Sequence, residues 1–245
     1  MPRLKLTLEY DGGCFLGWQV QAEGPTVQGE LERALAELTG EAVRVAGSGR
    51  TDSGVHARAQ VASFDTESSI PPEKFPAALN SLLPEGVSVL ACEGVPADFH
   101  ARYSARRKLY RYVIICRRPG LALDRERAAW VPEELDTARM IEAAGHFVGE
   151  HDFRAFATDV DDEEKGTVRE VIRCDIERCG EWIEIDVEGT GFLRKMVRTI
   201  VGTLIDVGRG HTAPGDIPAI IESRDRKRAG PTAPPQGLYL VEVKY

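Results

Sequence analysis

Residues 47–57 read Gly-Ser-Gly-Arg-Thr-Asp-Ser-Gly-Val-His-Ala and hold one carboxylate, Asp52, between Arg50 and His56. Gly47, Gly49 and Gly54 allow backbone angles closed to other residues and let another molecule approach the main chain, so a carboxylate there is presented to a visitor. Such a carboxylate can attack an electrophilic carbon or remove a proton. On local composition alone the same residues also describe a polar turn. A second concentration of chemistry lies at 102–118, where Arg102, Arg106, Arg107, Lys108, Arg111, Arg117 and Arg118 occur with no acidic residue among them. That stripe suits phosphate, and Arg194, Lys195 and Arg198 form a smaller basic cluster. Arg224 to Arg228, interrupted by Asp225, reads instead as a solvated face.

The elements that must position these residues follow from periodicity. Leu4, Leu6 and Leu8 alternate as in a strand, and Val27, Leu31, Leu35 and Leu38 recur at helical spacing after Thr26, with Gly40 as the stop. Strands over 43–46 and 59–64 flank the Asp52 loop, followed by a helix over 72–83 and a strand over 87–92. The stretch 106–116 reads as a long strand that Pro119 ends. Further on, the pattern predicts a helix over 135–144, a hairpin of 168–177 and 182–187 around Cys179-Gly180, helices over 192–207 and 214–222, and a last strand over 238–243. The acidic run Asp159, Asp161, Asp162, Glu163 and Glu164 reads as a solvated insertion. Helices fall irregularly among the strands, so an α+β chain with an extended, mostly antiparallel sheet is expected, not a doubly wound parallel sheet.

Composition narrows the classes. A chain of 245 residues, 42% hydrophobic, can bury a substantial core. There is no apolar run long enough to span a bilayer, and Met1-Pro2-Arg3-Leu4-Lys5 leads into a strand pattern and not a signal peptide, which points to a cytoplasmic protein with no membrane partner. Five scattered cysteines without a Cys-x-x-Cys pair suggest reduced thiols and no zinc knuckle. His146 and His151 stand five apart around Gly149, which does not place them on one helix face, so no metal is expected. The absence of a Walker loop or dinucleotide fingerprint suggests that no cofactor is needed. The net charge of −8 opposes nucleic-acid binding as a global rule, but the basic stripe concentrates positive charge locally.

Several of these segments, taken in order, resemble one family. Gly-Arg-Thr-Asp-Ser-Gly-Val-His-Ala at 49–57 is similar to the signature loop of the tRNA pseudouridine synthases that act on positions 38 to 40. Tyr10-Asp11-Gly12 with Gly17-Trp18-Gln19, Asp98 to Ala105, Tyr110-Arg111-Tyr112, Gly191 to Arg198 and Gly237 to Leu240 resemble further family segments in the family's order. Leu109 departs from it, standing where many relatives carry a basic or aromatic residue.

The resemblance implies the pseudouridine synthase fold in two similar-sized halves, 1–105 with the catalytic loop and 106–245 completing the active site and RNA-binding cleft. It implies isomerisation of uridine to pseudouridine at positions 38, 39 and 40 of the tRNA anticodon stem-loop, by base flipping and an essential aspartate, Asp52. It assigns Tyr110 to the target uracil, Arg50 to the gap left by the flipped base, Arg198 to the ionised carboxylate and Leu238 to an apolar contact with uracil. It also implies a homodimer. Two other classes stay open at this point: a non-catalytic RNA-binding protein using the basic strand alone, and a carboxylate-dependent glycosidic hydrolase, which would need a second carboxylate beside Asp52.

Overall fold

The computed structural model describes residues 1–158 and 166–245, and the acidic run at 159–164 lies outside them. The chain divides into two compact units, Met1–Arg106 with Tyr239–Tyr245, and Arg107–Leu238. A cut after residue 105 therefore leaves out the C-terminal segment that packs with the first unit.

In the first unit, β1 (Arg3–Tyr10) turns Leu4, Leu6 and Leu8 into the core, as their alternation requires. It pairs antiparallel with β3 (His56–Asp65) on one side and β4 (Val87–Val95) on the other. Tyr239 and Leu240 of β10 (Leu238–Lys244) lie parallel to His56 and Ala57 of β3. The helix α1 (Val27–Thr39) starts where Thr26 Oγ1 accepts the Gly29 N–H at 3.2 Å, stops at Gly40 with φ +75°, and buries Val27, Leu31, Ala34 and Leu35. The helix expected over 72–83 is a 3-10 turn at Pro72–Lys74 followed by the short α2 (Phe75–Asn80).

The strand expected over 43–46 shrinks to β2 (Ala46–Gly47) beside β3. The reason is competition for the backbone. Glu32 Oε1 accepts the Val45 N–H at 3.0 Å and Gln28 Nε2 donates to the Val45 carbonyl at 3.2 Å, so side chains of α1 take the groups a strand partner would use.

In the second unit, β5 (Arg107–Cys116) pairs antiparallel with β9 (Trp182–Gly189), β9 with β8 (Val168–Cys179), and β8 with β7 (Gly149–Asp152). A three-residue strand, β6 (Ala129–Val131), runs parallel to β5. Helices α3 (Thr137–Gly145), α4 (Met196–Gly208) and α5 (Ile217–Ser223) complete it. Asp136, not residue 135, opens the first of these, accepting the Arg139 N–H at 3.1 Å. The helix expected from residue 192 begins at Met196, because Lys195 at φ 60° breaks the helical path before it. The chain is thus α+β with mostly antiparallel pairing.

Candidate active site

The loop that carries Asp52 rests on a buried polar network between β1 and β3. Gln60 is buried in β3, and its side chain is fully used. Its Oε1 accepts the Ser48 hydroxyl at 2.6 Å, and its Nε2 donates to the Gly49 carbonyl at 3.0 Å and to the Tyr10 phenol oxygen at 3.2 Å. The Tyr10 hydroxyl in turn lies 2.8 Å from Thr51 Oγ1. Buried hydrogen bonds of this kind contribute about 1 kcal/mol each when made and cost more when one partner is orphaned, so residues 48–51 have one low-energy arrangement.

Main-chain bonds close the loop on its other side. Trp18 N–H donates to the Thr51 carbonyl at 3.0 Å, Gly54 N–H to the Gly12 carbonyl at 3.2 Å, and Val55 N–H to the Asp52 carbonyl at 3.1 Å. Gly12 and Gly17 are needed for this approach. A Cβ on Gly12 would sit 2.2 Å from the Val55 carbonyl oxygen, and one on Gly17, at φ +99°, 2.7 Å from the Thr51 carbonyl oxygen. Asp52 is left half-exposed on a backbone fixed at both ends, with exposed Arg50 two residues earlier.

His56 supports the loop. It is buried, stacks on Tyr239 with centroids 4.7 Å apart, and holds Nδ1 3.1 Å from the Gly12 nitrogen and 3.2 Å from Asp11 Oδ1. A nitrogen that accepts the Gly12 N–H cannot also donate to Asp11. Asp11 Oδ1 also accepts the Gly13 N–H at 3.0 Å.

The network has a pH signature. Burial pushes the Tyr10 phenol from 10.0 up to about 12, against the opposing effect of its bonds to Thr51 and Gln60. A raised folded-state value means that this contribution to stability is fully present below 10.0 and is lost as pH rises through about 12. Burial moves Tyr112 and Tyr245 in the same direction. Melting temperature is therefore expected to fall through this alkaline window, and Tyr10→Phe to make the fall shallower while lowering stability near neutrality. An alkaline slope unchanged in Tyr10→Phe would refute the assignment.

In the second unit, Tyr110 is buried on β5 and meets Phe192 edge-on at 5.2 Å and 89°. Arg198, in the first turn of α4, donates from Nε to the Ala233 carbonyl at 2.8 Å, and its own carbonyl accepts the Ala233 N–H at 3.0 Å. It thereby grips the strap that leads to Leu238, which is buried. The strap is seated along its length: Gly230 N–H donates to Thr203 Oγ1 at 2.9 Å, the Tyr112 hydroxyl donates to the Pro234 carbonyl at 2.8 Å, and a Cβ on Gly202 would lie 1.7 Å from the Pro231 carbonyl oxygen. Asp52 and Arg50 thus share one loop of the first unit, and Tyr110, Arg198 and Leu238 belong to the second.

A family profile described as tRNA pseudouridine synthase matches residues 7–104 and 143–245, which include Asp52, the Asp98 to Ser104 segment, Arg198 and Leu238. The chain belongs to that family. Similarity to individual members runs end to end. The tRNA pseudouridine synthase A of Caldicellulosiruptor bescii is 49% identical over 245 residues, with 100% of both chains covered. That of Agrobacterium fabrum is 48% identical, covering 100% of this chain and 93% of its own. The Moorella thermoacetica protein of the same name is 47% identical over 247 residues, with 100% of both covered.

As a member of the tRNA pseudouridine synthase family, the chain carries less uncompensated positive charge than its sequence suggests. Within the basic stripe, Arg111 pairs with Glu184 at 2.7 Å and Asp186 at 2.8 Å, and Arg117 with Glu181 at 3.4 Å. The cross-strand partners of β5 supply carboxylates that are remote in sequence. At 224–228 the expectation of a solvated face holds for Arg224, Lys227 and Arg228 but fails for Arg226. That side chain is half-buried and donates to the Gly230 carbonyl at 2.9 Å and Thr232 Oγ1 at 3.0 Å, holding the strap. Gln60 and the strap-holding role of Arg226 are not signalled in the sequence, and Tyr10 stands there only as part of the Tyr10-Asp11-Gly12 segment. Among the described residues no three His, Cys, Asp or Glu side chains form a metal-binding group: His146 caps α3 and His151 lies on β7. No helix among them is long and apolar enough to cross a membrane.

Proposed function

We propose that this chain isomerises uridine to pseudouridine in tRNA, at positions 38, 39 and 40 of the anticodon stem-loop. The end-to-end match to the synthase family carries this reading. In the reaction the bond between uracil N1 and the ribose C1′ breaks, the base turns, C5 bonds to C1′, and the C5 proton leaves while N1 gains one. No electron acceptor or energy source enters.

Asp52 is the essential carboxylate, acting on sugar or base as nucleophile or as proton acceptor. What supports this role is its presentation on a loop whose flanking peptides are pinned, since a catalytic group gains most from fixed geometry. Tyr110 contacts the target uracil, and the edge-on Phe192 fixes its ring. Arg198 keeps the carboxylate ionised, Leu238 packs on the base, and Arg50 fills the space left when the base leaves the stack. A homodimer located in the cytoplasm completes the proposal. With a net charge of −8, pooling the basic surface of two subunits strengthens the hold on a polyanion.

Tritium release from unmodified tRNA carrying 5-tritiated uridine tests the reaction. Release that maps to positions 38 to 40 is the expected result. Tight tRNA binding without release would sink the synthase reading and leave a binding protein, and light scattering that gave a monomer at micromolar concentration would remove the dimer.

A further inference from the structure

Tyr103 is 77% exposed, far more than the tryptophans that reach the surface, Trp130 at 45% and Trp182 at 41%. It sits at the tip of the turn after β4, beside Arg102 in sequence. The turn is built and not merely loose. Ser104 N–H donates to the His100 carbonyl at 2.9 Å, and His100 N–H donates back to Ser104 Oγ at 3.0 Å. His100 Nδ1 accepts the Arg102 N–H at 3.1 Å, which fixes the imidazole beneath the tip. At the base, Ala101 is buried, its N–H donates to Ser63 Oγ at 3.1 Å, and its carbonyl accepts the Tyr245 hydroxyl at 2.7 Å.

The tip therefore presents an aromatic ring to water from a braced turn, with His100 4.5 Å from it and the Arg102 guanidinium 5.8 Å from its centroid. Exposing a ring is unfavourable, and a solvated turn has no need of one. Electrostatics indicates what would cover it. Once Arg111 and Arg117 are matched to carboxylates, the exposed positive charge at the start of the basic stripe is Arg102, next to Tyr103, and Arg106, three residues after it. A flat aromatic surface beside an exposed guanidinium is an arrangement that binds unpaired nucleotides, because every base has a π-face and every linkage a phosphate.

We infer that Tyr103 is a stacking platform for an unpaired base of the tRNA substrate, with Arg102 and Arg106 on the adjoining phosphates. The inference rests on the synthase reading for the identity of the RNA. The ring contributes to holding the tRNA and takes no part in the chemistry of the target uridine.

The test measures tRNA dissociation constants and tritium-release kinetics for wild type, Tyr103→Ala, Tyr103→Phe and Tyr103→Trp, with the mass of each by light scattering. Stacking on one side chain is worth about 1–3 kcal/mol, so Tyr103→Ala is expected to raise Kd and KM by about 5- to 150-fold, with kcat at saturating tRNA within about threefold. Phe and Trp, which keep a ring face, are expected to bind within about threefold of wild type. Wild-type affinity in Tyr103→Ala would overturn the inference, as would loss of affinity in all three variants. A change of oligomeric mass in Tyr103→Ala would overturn it too, assigning the ring to a contact with a second copy. Failure of the synthase reading is separable: wild type would then release no tritium, whatever the affinities show.

Discussion

Asp52→Asn is expected to abolish tritium release while tRNA affinity and melting temperature stay near wild type. The substitution keeps shape and removes the charge, leaving a side chain that can neither attack carbon nor accept a proton at neutral pH. General-base assistance alone is worth about 10²–10⁴-fold, and loss of an obligatory nucleophile costs more, so a fall of at least about 10³-fold in kcat is expected. Stability should change by less than about 1 kcal/mol, because the side chain is half-exposed. The hydrogen bond from Val55 uses the Asp52 main-chain carbonyl and survives. Turnover within tenfold of wild type would remove Asp52 from the chemistry. Loss of tRNA binding together with turnover, in a folded protein, would give the carboxylate a binding role.

Gly12→Ala is expected to do comparable harm without touching any group that reacts. A Cβ there would lie 2.2 Å from the Val55 carbonyl oxygen, 2.4 Å from its carbon and 2.7 Å from the Gly54 carbon, all of them backbone. No rotamer change relieves that overlap, so the 53–55 segment must move. Overpacking of this kind costs about 1–3 kcal/mol of stability, and a displacement near 1 Å in a positioning segment costs about 10²-fold in rate. The control is the next residue. A Cβ on Gly13 would meet only Asp11 Oδ1, at 3.2 Å, the end of a side chain that can turn aside. Melting curves and kcat for both variants check the argument: if Gly12→Ala turns over at the wild-type rate, the loop is not held by this contact.

What was legible in the sequence was what depends on near neighbours. The Leu4, Leu6, Leu8 alternation, the Thr26 cap with Gly40 stop, and the hairpin around Cys179-Gly180 each carry their own signal, and each formed. The Asp52 loop was legible as a string, since its glycines and turn residues are local. What failed was long-range accounting. Val43 and Val45 have strand chemistry, but Gln28 and Glu32 took the Val45 backbone groups. Arg111 looked unbalanced until Asp186, 75 residues later, came beside it. Gln60 looks like an ordinary polar residue of β3 until Tyr10, Ser48 and Gly49 converge on it. The three-residue β6 and four-residue β7 are too short for a period to register.

The parallel pairing of Tyr239 and Leu240 with His56 and Ala57 has a consequence for biosynthesis. Residues 239–245 leave the ribosome only after the whole of Arg107–Leu238 has been made, yet they belong with the unit that was translated first. Until then that nascent unit lacks the Tyr239 ring that stacks on His56 and the Tyr245 hydroxyl that holds Ala101. The segment bearing Asp52 and the turn bearing Tyr103 thus each acquire a final support late in translation. A chain stalled within the second unit would be released with its Asp52 loop still incompletely braced.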